Sequence, residues 1–252
     1  MKTRAPGKII LFGEYAVLDG YDALVIAVDR HVHTDVSKAS SLAVDAGRFG
    51  RFPTISNVPE LPLIEDVVAQ MGLAQGHFTL TSSGFECSEG KLGLGSSAAS
   101  TVAFVGAALA HLGRKVRPEV AFTIAQNSHH RVQGLGSGTD IAASSFGGAL
   151  LYNWNGQESG HIRHKLAISS NYGTAHLTPV TSPIKSILTV WTGQPANTRD
   201  LVIDVQKKKQ TTNYKACISK LGESAARGHV GWTRGNRSKI IESIDIANEA
   251  AL

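Results

Sequence analysis

Residues 91–112 read KLGLGSSAASTVAFVGAALAHL, and this stretch decides the fold class. A glycine-rich turn runs straight into Ser97 to Leu112, a segment that is small or apolar on nearly every side. Such a segment predicts a helix buried against other elements of the fold. Glycines let a backbone approach a ligand closely, and a helix N-terminus presents unpaired N–H groups to anions. The stretch therefore predicts a turn that can bind phosphate oxygens.

The same turn can be compared with two known phosphate-binding motifs and with a plain strand-to-helix turn. It is not a Walker P-loop, because no G-K-[ST] follows the glycines, and it does not meet the G-x-G-x-x-G spacing of dinucleotide-binding turns. A plain strand-to-helix turn, capped by Ser96 or Ser97, fits the same residues. The turn alone leaves these two interpretations open.

The rest of the chain mixes strand and helix patterns in the manner of an α+β protein, without a regular βαβ alternation. Runs of β-forming or alternating residues predict strands over 8–12, 23–28, 31–36, 78–81, 147–154 and 186–191. Apolar positions at three- and four-residue spacing predict helices over 97–112, 118–132, 198–209, 214–226 and 238–252. We expect two domains, residues 1–180 and 181–252.

Composition and charge narrow the class of protein. The 252 residues are 42% apolar, which is enough to fill a folded core. No run approaches the roughly 18 apolar residues of a membrane span and the start is not that of a signal peptide, so we expect a cytoplasmic protein with no membrane partner. The net charge of +5 is scattered apart from residues 207–209, which predicts a solvated helix face and no nucleic-acid partner. Cys87 and Cys217 are expected to be reduced thiols.

A second glycine-rich segment carries one carboxylate. Residues 134–148 read GLGSGTDIAASSFGG, which places Asp140 where a glycine-rich loop meets a short helix. An aspartate there is commonly an N-terminal cap, and the functional alternative is a general base or positioning carboxylate for an attacking oxygen. Lys8, in the apolar run KIILF, either extends to solvent or supplies the cation such a site needs. Glu14 by itself reads as a surface carboxylate.

Three segments together resemble the GHMP kinases in order, spacing and composition. They are APGKIILFGEYAVLDG at 5–20, KLGLGSSAAS at 91–100 and GSGTDIAASSFGG at 136–148. The resemblance implies a two-domain α+β fold, with an N-terminal domain like domain 2 of ribosomal protein S5 and a ferredoxin-like C-terminal domain. It also implies ATP-dependent phosphorylation of a small metabolite, with ATP and Mg²⁺ as cofactors.

A fourth segment bears on the acceptor. WTGQPANTRDLV at 191–202 is similar to a stretch of the phosphomevalonate kinases, which implies phosphomevalonate as the small-molecule partner. Mevalonate kinases, the alternative, carry a histidine where this chain has Tyr15 and a metal-binding glutamate where it has His129. Because a phosphate monoester oxygen is already largely ionised near neutral pH, we expect Asp140 to orient the acceptor rather than to remove a proton.

The resemblance also implies roles for single residues. Lys8 matches a lysine that contacts the transferring phosphoryl group, and Asp140 matches an aspartate near the acceptor oxygen. The residues that match the ATP-binding turn are Lys91, Gly93, Leu94, Gly95, Ser96, Ser97 and Ala98, and Ser97 is also expected to meet Mg²⁺. The residues that match the acceptor site are Tyr15, Gly136, Ser137, Gly138, Ala196 and Thr198.

The resemblance stops short of the family's last motif, a glycine-rich K-x-x-G-A-G-G-G-D-type loop. This chain has no such segment, and its last helix pattern reaches Leu252 without a stop signal, so we expect a truncated C-terminal domain. A kinase-like protein that binds nucleotide or metabolite without turnover stays open, as do a monomer and a homodimer. The pairs His31 with His33 and His129 with His130 lack a third ligand at an evident spacing, so no zinc site is expected.

Overall fold

The computed structural model describes residues 1–88, 90–134, 136–155, 164–181, 184, 186–193 and 198–251. Within them the strands are β1 (Lys2–Phe12), β2 (Ala23–Ser37), β3 (Leu42–Asp45), β4 (Arg51–Phe52), β5 (Gly76–Thr81), β6 (Glu86–Cys87), β7 (Gly90–Lys91), β8 (Ala149–Trp154), β9 (Leu166–Ser170) and β10 (Gly173–Val180). The α-helices are α1 (Pro62–Met71), α2 (Ser96–His111), α3 (Pro118–Gln133), α4 (Thr139–Phe146), α5 (Thr198–Lys207), α6 (Thr212–Arg234) and α7 (Arg237–Ala251).

The chain divides into two compact units that are interleaved in sequence. The first unit contains Met1–Lys8, Ala27–Gly134 and Asp140–Gly147, and the second contains Ile9–Ile26, Leu135–Thr139 and Gly148–Leu252. Strands β1 and β2 therefore contribute residues to both units. The domain division expected at residues 180 and 181 stays a prediction.

The first unit is built on strands in the order β4-β3-β5-β2. Strand β5 runs parallel to β3 and antiparallel to β2, so that Phe78 lies opposite both Val44 and Val36. The Phe78 ring is fully buried, and its centroid lies 4.7 Å from that of Phe104 on α2. Helix α2 therefore packs its aromatic side chain directly onto the central strand of this unit.

Helices α2 and α3 confirm the helices predicted over 97–112 and 118–132. Helix α2 is buried on nearly all sides because its alanines and Gly106 leave room for neighbouring elements. Helix α3 begins with Pro118 in its first turn and ends at Gly134, whose φ of 68° lies in the left-handed region. The burial of α2 thus agrees with the small and apolar residues from which this helix was predicted.

The second unit is built on the first residues of β2 followed by β8, β10 and β9, all antiparallel. Leu24 on β2 lies opposite Leu151 on β8, and both side chains are fully buried. Leu24 also belongs to an apolar cluster with Phe12, Ala225 and Trp232. This cluster joins the strands of the second unit to helix α6.

The structure differs from the sequence-based prediction in the second unit. The strand predicted over 186–191 is absent from the described residues, and Leu188 and Val190 are 92% and 84% exposed. Strands β9 and β10 were not predicted, and α6 extends eight residues beyond the predicted end at 226. None of the described helices combines the length and apolar character needed to cross a membrane.

Candidate active site

The predicted ATP-binding turn leads into α2 with an open helix N-terminus. Gly93 and Gly95 adopt φ angles of 75° and 74°, in the left-handed region that favours glycine. Gly95 is the N-cap residue of α2, and no side chain caps it, so Ser96 and Ser97 lie inside the helix and not at the cap. The first-turn N–H groups are therefore available to an anion, as the anion-binding interpretation requires.

The residues of this turn differ in their exposure to solvent. Lys91, Gly93 and Ser97 are exposed, Leu94, Gly95 and Ser96 are half-buried, and Ala98 is buried in the start of the helix. The exposed lysine lies on β7, immediately before the glycines. The turn therefore presents a cation, backbone N–H groups and a hydroxyl to solvent on a short stretch of chain.

Strand β1 places Lys8 against this turn. The Lys8 N–H donates to the Leu94 carbonyl at 2.8 Å, and a Cβ added at Gly95 would lie 3.1 Å from Lys8 Cγ. Gly7 is packed as tightly, since a Cβ there would lie 2.5 Å from the Leu94 oxygen and 2.5 Å from a ring carbon of Phe85. The aliphatic part of the Lys8 side chain thus runs along the glycine-rich turn.

Asp140 lies in the first turn of α4, half-buried, with its Oδ1 accepting from the Ile141 N–H at 2.9 Å. Helix α4 is joined to β1 by the Ser144 hydroxyl, which donates to the Pro6 carbonyl at 2.8 Å. This bond is four residues after Asp140 and two before Lys8. Among the described side chains, no cation lies within 4 Å of the Asp140 carboxylate.

A magnesium ion at the turn would rely on few protein ligands. No group of three or more acidic, histidine or cysteine side chains able to hold a metal occurs in the described part of the chain. Magnesium in phosphoryl-transfer sites is commonly bound by one or two protein oxygens together with substrate phosphates and water. The exposed Ser97 hydroxyl is a hard oxygen ligand at the start of α2, and it fits such a partly protein-bound ion.

The loop before α4 lies in the second unit. Gly136 and Gly138 adopt φ angles of 116° and 76°, and the Ser137 hydroxyl lies 2.5 Å from that of Thr139. The fully buried Tyr152 donates its hydroxyl proton to the Ser137 carbonyl. Gly136, Ser137 and Gly138 are therefore held in a defined turn, and their predicted contact with the acceptor stays a prediction.

Tyr15 sits in a strained turn of the second unit. Its φ of 59° and ψ of −45° are unusual for a non-glycine residue, and the Ala16 N–H donates to the Glu14 carbonyl at 2.6 Å. This hydrogen bond between residues two apart closes a γ-turn with positive φ, which is rare. The Tyr15 side chain packs partly buried against a cluster that includes Ala16, Ile218 and Leu221.

Glu14, in the same turn, is half-buried rather than fully exposed as a surface carboxylate would be. Burial raises the pKa of the Glu14 carboxyl, and a backbone hydrogen bond partly offsets the rise. Carboxyl groups with pKa values raised by burial are found preferentially at functional sites. The sequence carried no signal for this burial, because a lone glutamate after a glycine is ordinary in an exposed turn.

The remaining predicted residues are described only in part. Ala196 lies outside the described residues. Thr198 is the first residue of α5, and its side chain is not described. His129 is buried on α3, in the first unit, and its Nδ1 has no hydrogen-bond partner among the described groups. The contribution of Ala196 and Thr198 to an acceptor site therefore stays a prediction.

Comparison with known proteins relates this arrangement to two groups of kinases. Residues 67–148 match the family described as GHMP kinases N terminal domain. Phosphomevalonate kinase of Streptomyces sp. (strain CL190) is 29% identical over 246 residues, covering 81% of this chain and 64% of the relative. Mevalonate kinase of Archaeoglobus fulgidus is 32% identical over 159 residues, covering 60% of this chain and 52% of the relative.

A solved structure has the same fold as the chain. Streptococcus pneumoniae phosphomevalonate kinase, in complex with phosphomevalonate and AMPPNP, superimposes with a TM-score of 0.80 at 18% identity. The match covers 99% of this chain and 79% of that one. Measured against the two curated relatives, this chain spans about half to two thirds of their length.

Proposed function

We propose that this chain, which is similar to the GHMP kinases and has the fold that this resemblance implies, transfers the γ-phosphoryl group of ATP to phosphomevalonate. The observation that carries the proposal is the uncapped N-terminus of α2, with the Lys8 side chain packed along Gly95 at its entrance. A helix N-terminus and an adjacent lysine form a strong site for phosphate oxygens. The Streptococcus pneumoniae neighbour, whose structure contains AMPPNP, supports a nucleotide as the ligand.

Nucleotide binding rests on the first unit. The N–H groups of the first turn of α2 would donate hydrogen bonds to the phosphate oxygens, and Lys91 on β7, just before the turn, adds a positive charge. The left-handed Gly93 and Gly95 allow the backbone to approach these oxygens without side chains in between. Such a site binds the ground state of ATP and holds the γ-phosphoryl group in one place.

The choice of phosphomevalonate rests on narrower support. The segment at 191–202 is similar to phosphomevalonate kinases, and the Streptomyces enzyme aligns over 81% of this chain. Tyr15 and His129 replace the histidine and glutamate found at these positions in mevalonate kinases. A phosphorylated acceptor also suits a chain with a net charge of +5, since all its ligands would be anions.

The proposed reaction is a direct in-line displacement. An oxygen of the acceptor phosphate forms a bond to the γ-phosphorus, the bond from that phosphorus to the β–γ bridging oxygen breaks, and ADP leaves with the bonding electrons. Lys8 offsets the negative charge on the transferring group, and Asp140 orients the acceptor and Lys8. Positioning and charge neutralisation supply most of the acceleration in such reactions.

The proposed reaction would use a magnesium ion, to which the protein can contribute an oxygen ligand. Ser97 would contribute an oxygen ligand, and the ion would neutralise charge on the nucleotide phosphates. The protein's own part is to present this oxygen at the open N-terminus of α2. The hydroxyl of Ser97 is exposed at this end of α2.

Mevalonate phosphorylation is the second candidate, favoured by the 32% identity to the Archaeoglobus enzyme. Its acceptor is an alcohol, whose proton must be removed as the new bond forms. Asp140 would then act as a general base, a role that typically contributes about 10²- to 10⁴-fold in rate. The two candidates therefore differ in what Asp140 must do.

Steady-state ADP release with phosphomevalonate, mevalonate and homoserine as acceptors tests the proposal. We expect the highest kcat/KM with phosphomevalonate. A preference for mevalonate would replace the acceptor in the proposal. Binding of ATP without turnover of any acceptor would instead identify a nucleotide-binding protein without kinase activity.

A further inference from the structure

We propose that Asp22 is a positioning residue that fixes the loop carrying Glu14 and Tyr15, and so determines the affinity for the acceptor. The loop is defined as residues 13–22, GEYAVLDGYD. Its assignment to the acceptor rests on the proposed function. Its fixation by Asp22 rests only on contacts within the second unit.

The two ends of the loop meet at Gly13 and Asp22. Gly13 adopts a φ of 86°, and a Cβ at this position would lie 2.3 Å from the Asp22 carbonyl oxygen and 2.8 Å from Ala23 Cα. No other residue type fits between these backbone atoms. The loop therefore closes through direct backbone contact at Asp22, and Tyr15 lies only two residues from this point.

The Asp22 side chain holds the closed end of the loop onto the sheet. It is 6% exposed and accepts hydrogen bonds from Asn153 Nδ2 at 3.0 Å and from His164 Nε2 at 3.1 Å. Asn153, on β8 and almost fully buried, donates from the same Nδ2 to the Gly20 carbonyl at 2.8 Å. One amide group thus binds the loop through both a side chain and a backbone oxygen.

His164 is itself supported by β10. Its Nδ1 lies 3.4 Å from the Thr178 hydroxyl, and its ring centroid lies 6.0 Å from that of His176. Burial lowers the pKa of the nearby His229, the negative charge of Asp22 acts in the opposite direction, and His164 lowers it further. A buried aspartate with these neighbours is a built polar centre rather than a surface group that has folded inward.

Asp19 and Tyr21, which precede Asp22 in the loop, contact α6 and the turn before it. The Asp19 carboxylate accepts from the Tyr214 hydroxyl at 2.6 Å and pairs with Lys209 at 2.5 Å. A Cβ at Gly222 of α6 would lie 2.1 Å from the Tyr21 ring, so this ring rests directly on the α6 backbone. The strained turn of Tyr15 lies between Gly13 and these attachments. A strained turn persists only when surrounding contacts hold it in place. Asp22 lies at the loop closure itself, so it is the contact that we expect to matter most for this turn.

The variants that test this role are Asp22→Ala and Asp22→Asn, with Asp245→Ala as the matched control. Asp22→Ala removes both hydrogen bonds, whereas Asp22→Asn keeps an oxygen that can accept from Asn153 and His164. Asp245 is exposed on α7, so its replacement tests the loss of a carboxylate alone. His164→Ala removes a single donor, and it keeps the test available if Asp22→Ala does not fold.

Two measurements are made on each variant. Amide hydrogen exchange is recorded for residues 14–21 and, for comparison, for α2. Calorimetry then gives the Kd for phosphomevalonate and the Kd for AMPPNP. We expect Asp22→Ala to accelerate exchange in the loop but not in α2, and to raise the Kd for phosphomevalonate about tenfold or more while that for AMPPNP changes less than about twofold. In Asp22→Asn, the exchange rate of the loop and the Kd for phosphomevalonate should lie within about threefold of those of the unsubstituted chain.

Each outcome decides one part of the proposal. Loop exchange in Asp22→Ala that equals that of Asp245→Ala overturns the fixation of the loop. Faster loop exchange with an unchanged Kd for phosphomevalonate overturns the role in acceptor affinity. If the unsubstituted chain binds no phosphomevalonate, the proposed function fails, and the exchange data still decide whether Asp22 holds the loop.

Discussion

Replacement of Gly7 by alanine tests the packing of β1 against the glycine-rich turn. The added Cβ would lie 2.5 Å from the Leu94 carbonyl oxygen and 2.5 Å from a ring carbon of the buried Phe85. Carbon contacts are favourable at about 3.5–4.0 Å, so the neighbours must move by about 1 Å. The backbone angle of Gly7 is not in the left-handed region, so the whole effect is steric.

The magnitude follows from two contributions. Overpacking a buried site typically costs about 1–3 kcal/mol. A shift of about 1 Å at Leu94 also breaks the 2.8 Å bond from the Lys8 N–H, which costs about 0.5–1.5 kcal/mol more. We expect Gly7→Ala to lose about 2–4 kcal/mol of stability, and ATP affinity to fall about tenfold or more because the turn moves.

The assay compares Gly7→Ala with Gly84→Ala by urea unfolding and by calorimetric binding of AMPPNP. Gly84 belongs to the same unit, and a Cβ there would make an ordinary 3.7 Å contact with the flexible Arg30 side chain. The control should therefore resemble the unsubstituted chain in both measurements. Equal stability and equal nucleotide affinity for the two variants would refute the reasoning that β1 shapes the ATP site.

Three further substitutions have defined outcomes. Asp140→Asn should lower kcat by about 10²-fold or more, because the acceptor loses the carboxylate that orients it, while the Kd for ATP stays nearly unchanged. A large loss of ATP affinity would contradict this role. Because the raised pKa of Glu14 favours folding of the protonated form, its contribution to stability is present at low pH and is lost as pH rises through the folded-state pKa. Glu14→Gln should therefore melt at a higher temperature than the unsubstituted chain at pH 8, with a gain that shrinks toward pH 4.5, and a gain independent of pH would contradict this origin. Gln126 is fully buried and neither atom of its amide has a partner among the described groups, so Gln126→Met should raise the free energy of unfolding by about 1–3 kcal/mol, whereas a loss would indicate a bound water.

In the first unit, helices α2 and α3 were predicted from the sequence, whereas α1, β3 and β4 were not. Helix α2 was predicted from its small and apolar residues, and the structure buries these residues against neighbouring elements. The alternative in which Ser96 or Ser97 caps α2 rested on the usual preference for serine at this position. In the structure the N-cap residue is Gly95, and α2 begins at Ser96, one residue before the predicted start.

The second unit was harder to predict because tertiary contacts override local signals. The helix predicted to end at residue 226 continues through Gly228 and Gly231 inside α6, where a Cβ at Gly228 would lie 2.5 Å from the Phe12 ring and one at Gly231 3.0 Å from the Ile240 nitrogen. The residues 186–191 form β-strands readily, but the described part of the chain offers them no strand partner. Contacts distant in sequence therefore accompany the extended helix, whereas the predicted strand has no partner among the described residues.

The residues of the candidate site divide in the same way. Lys8, Asp140 and the glycine-rich turn were found from motifs, and the structure places Lys8 along the turn with α4 bonded to β1. The buried Asp22 and the half-buried Glu14 were not predicted, because the close contact of Gly13 with Asp22 leaves no periodic pattern in the sequence.

The most direct test of the central claim follows the phosphoryl group itself. Phosphorus-31 NMR of the chain with equimolar ATP and phosphomevalonate should show the ATP γ-phosphate signal replaced by the paired signals of a diphosphate ester, together with ADP. The same spectrum with mevalonate should stay unchanged over the same time. Transfer to mevalonate but not to phosphomevalonate, or release of inorganic phosphate alone, would contradict the proposed reaction.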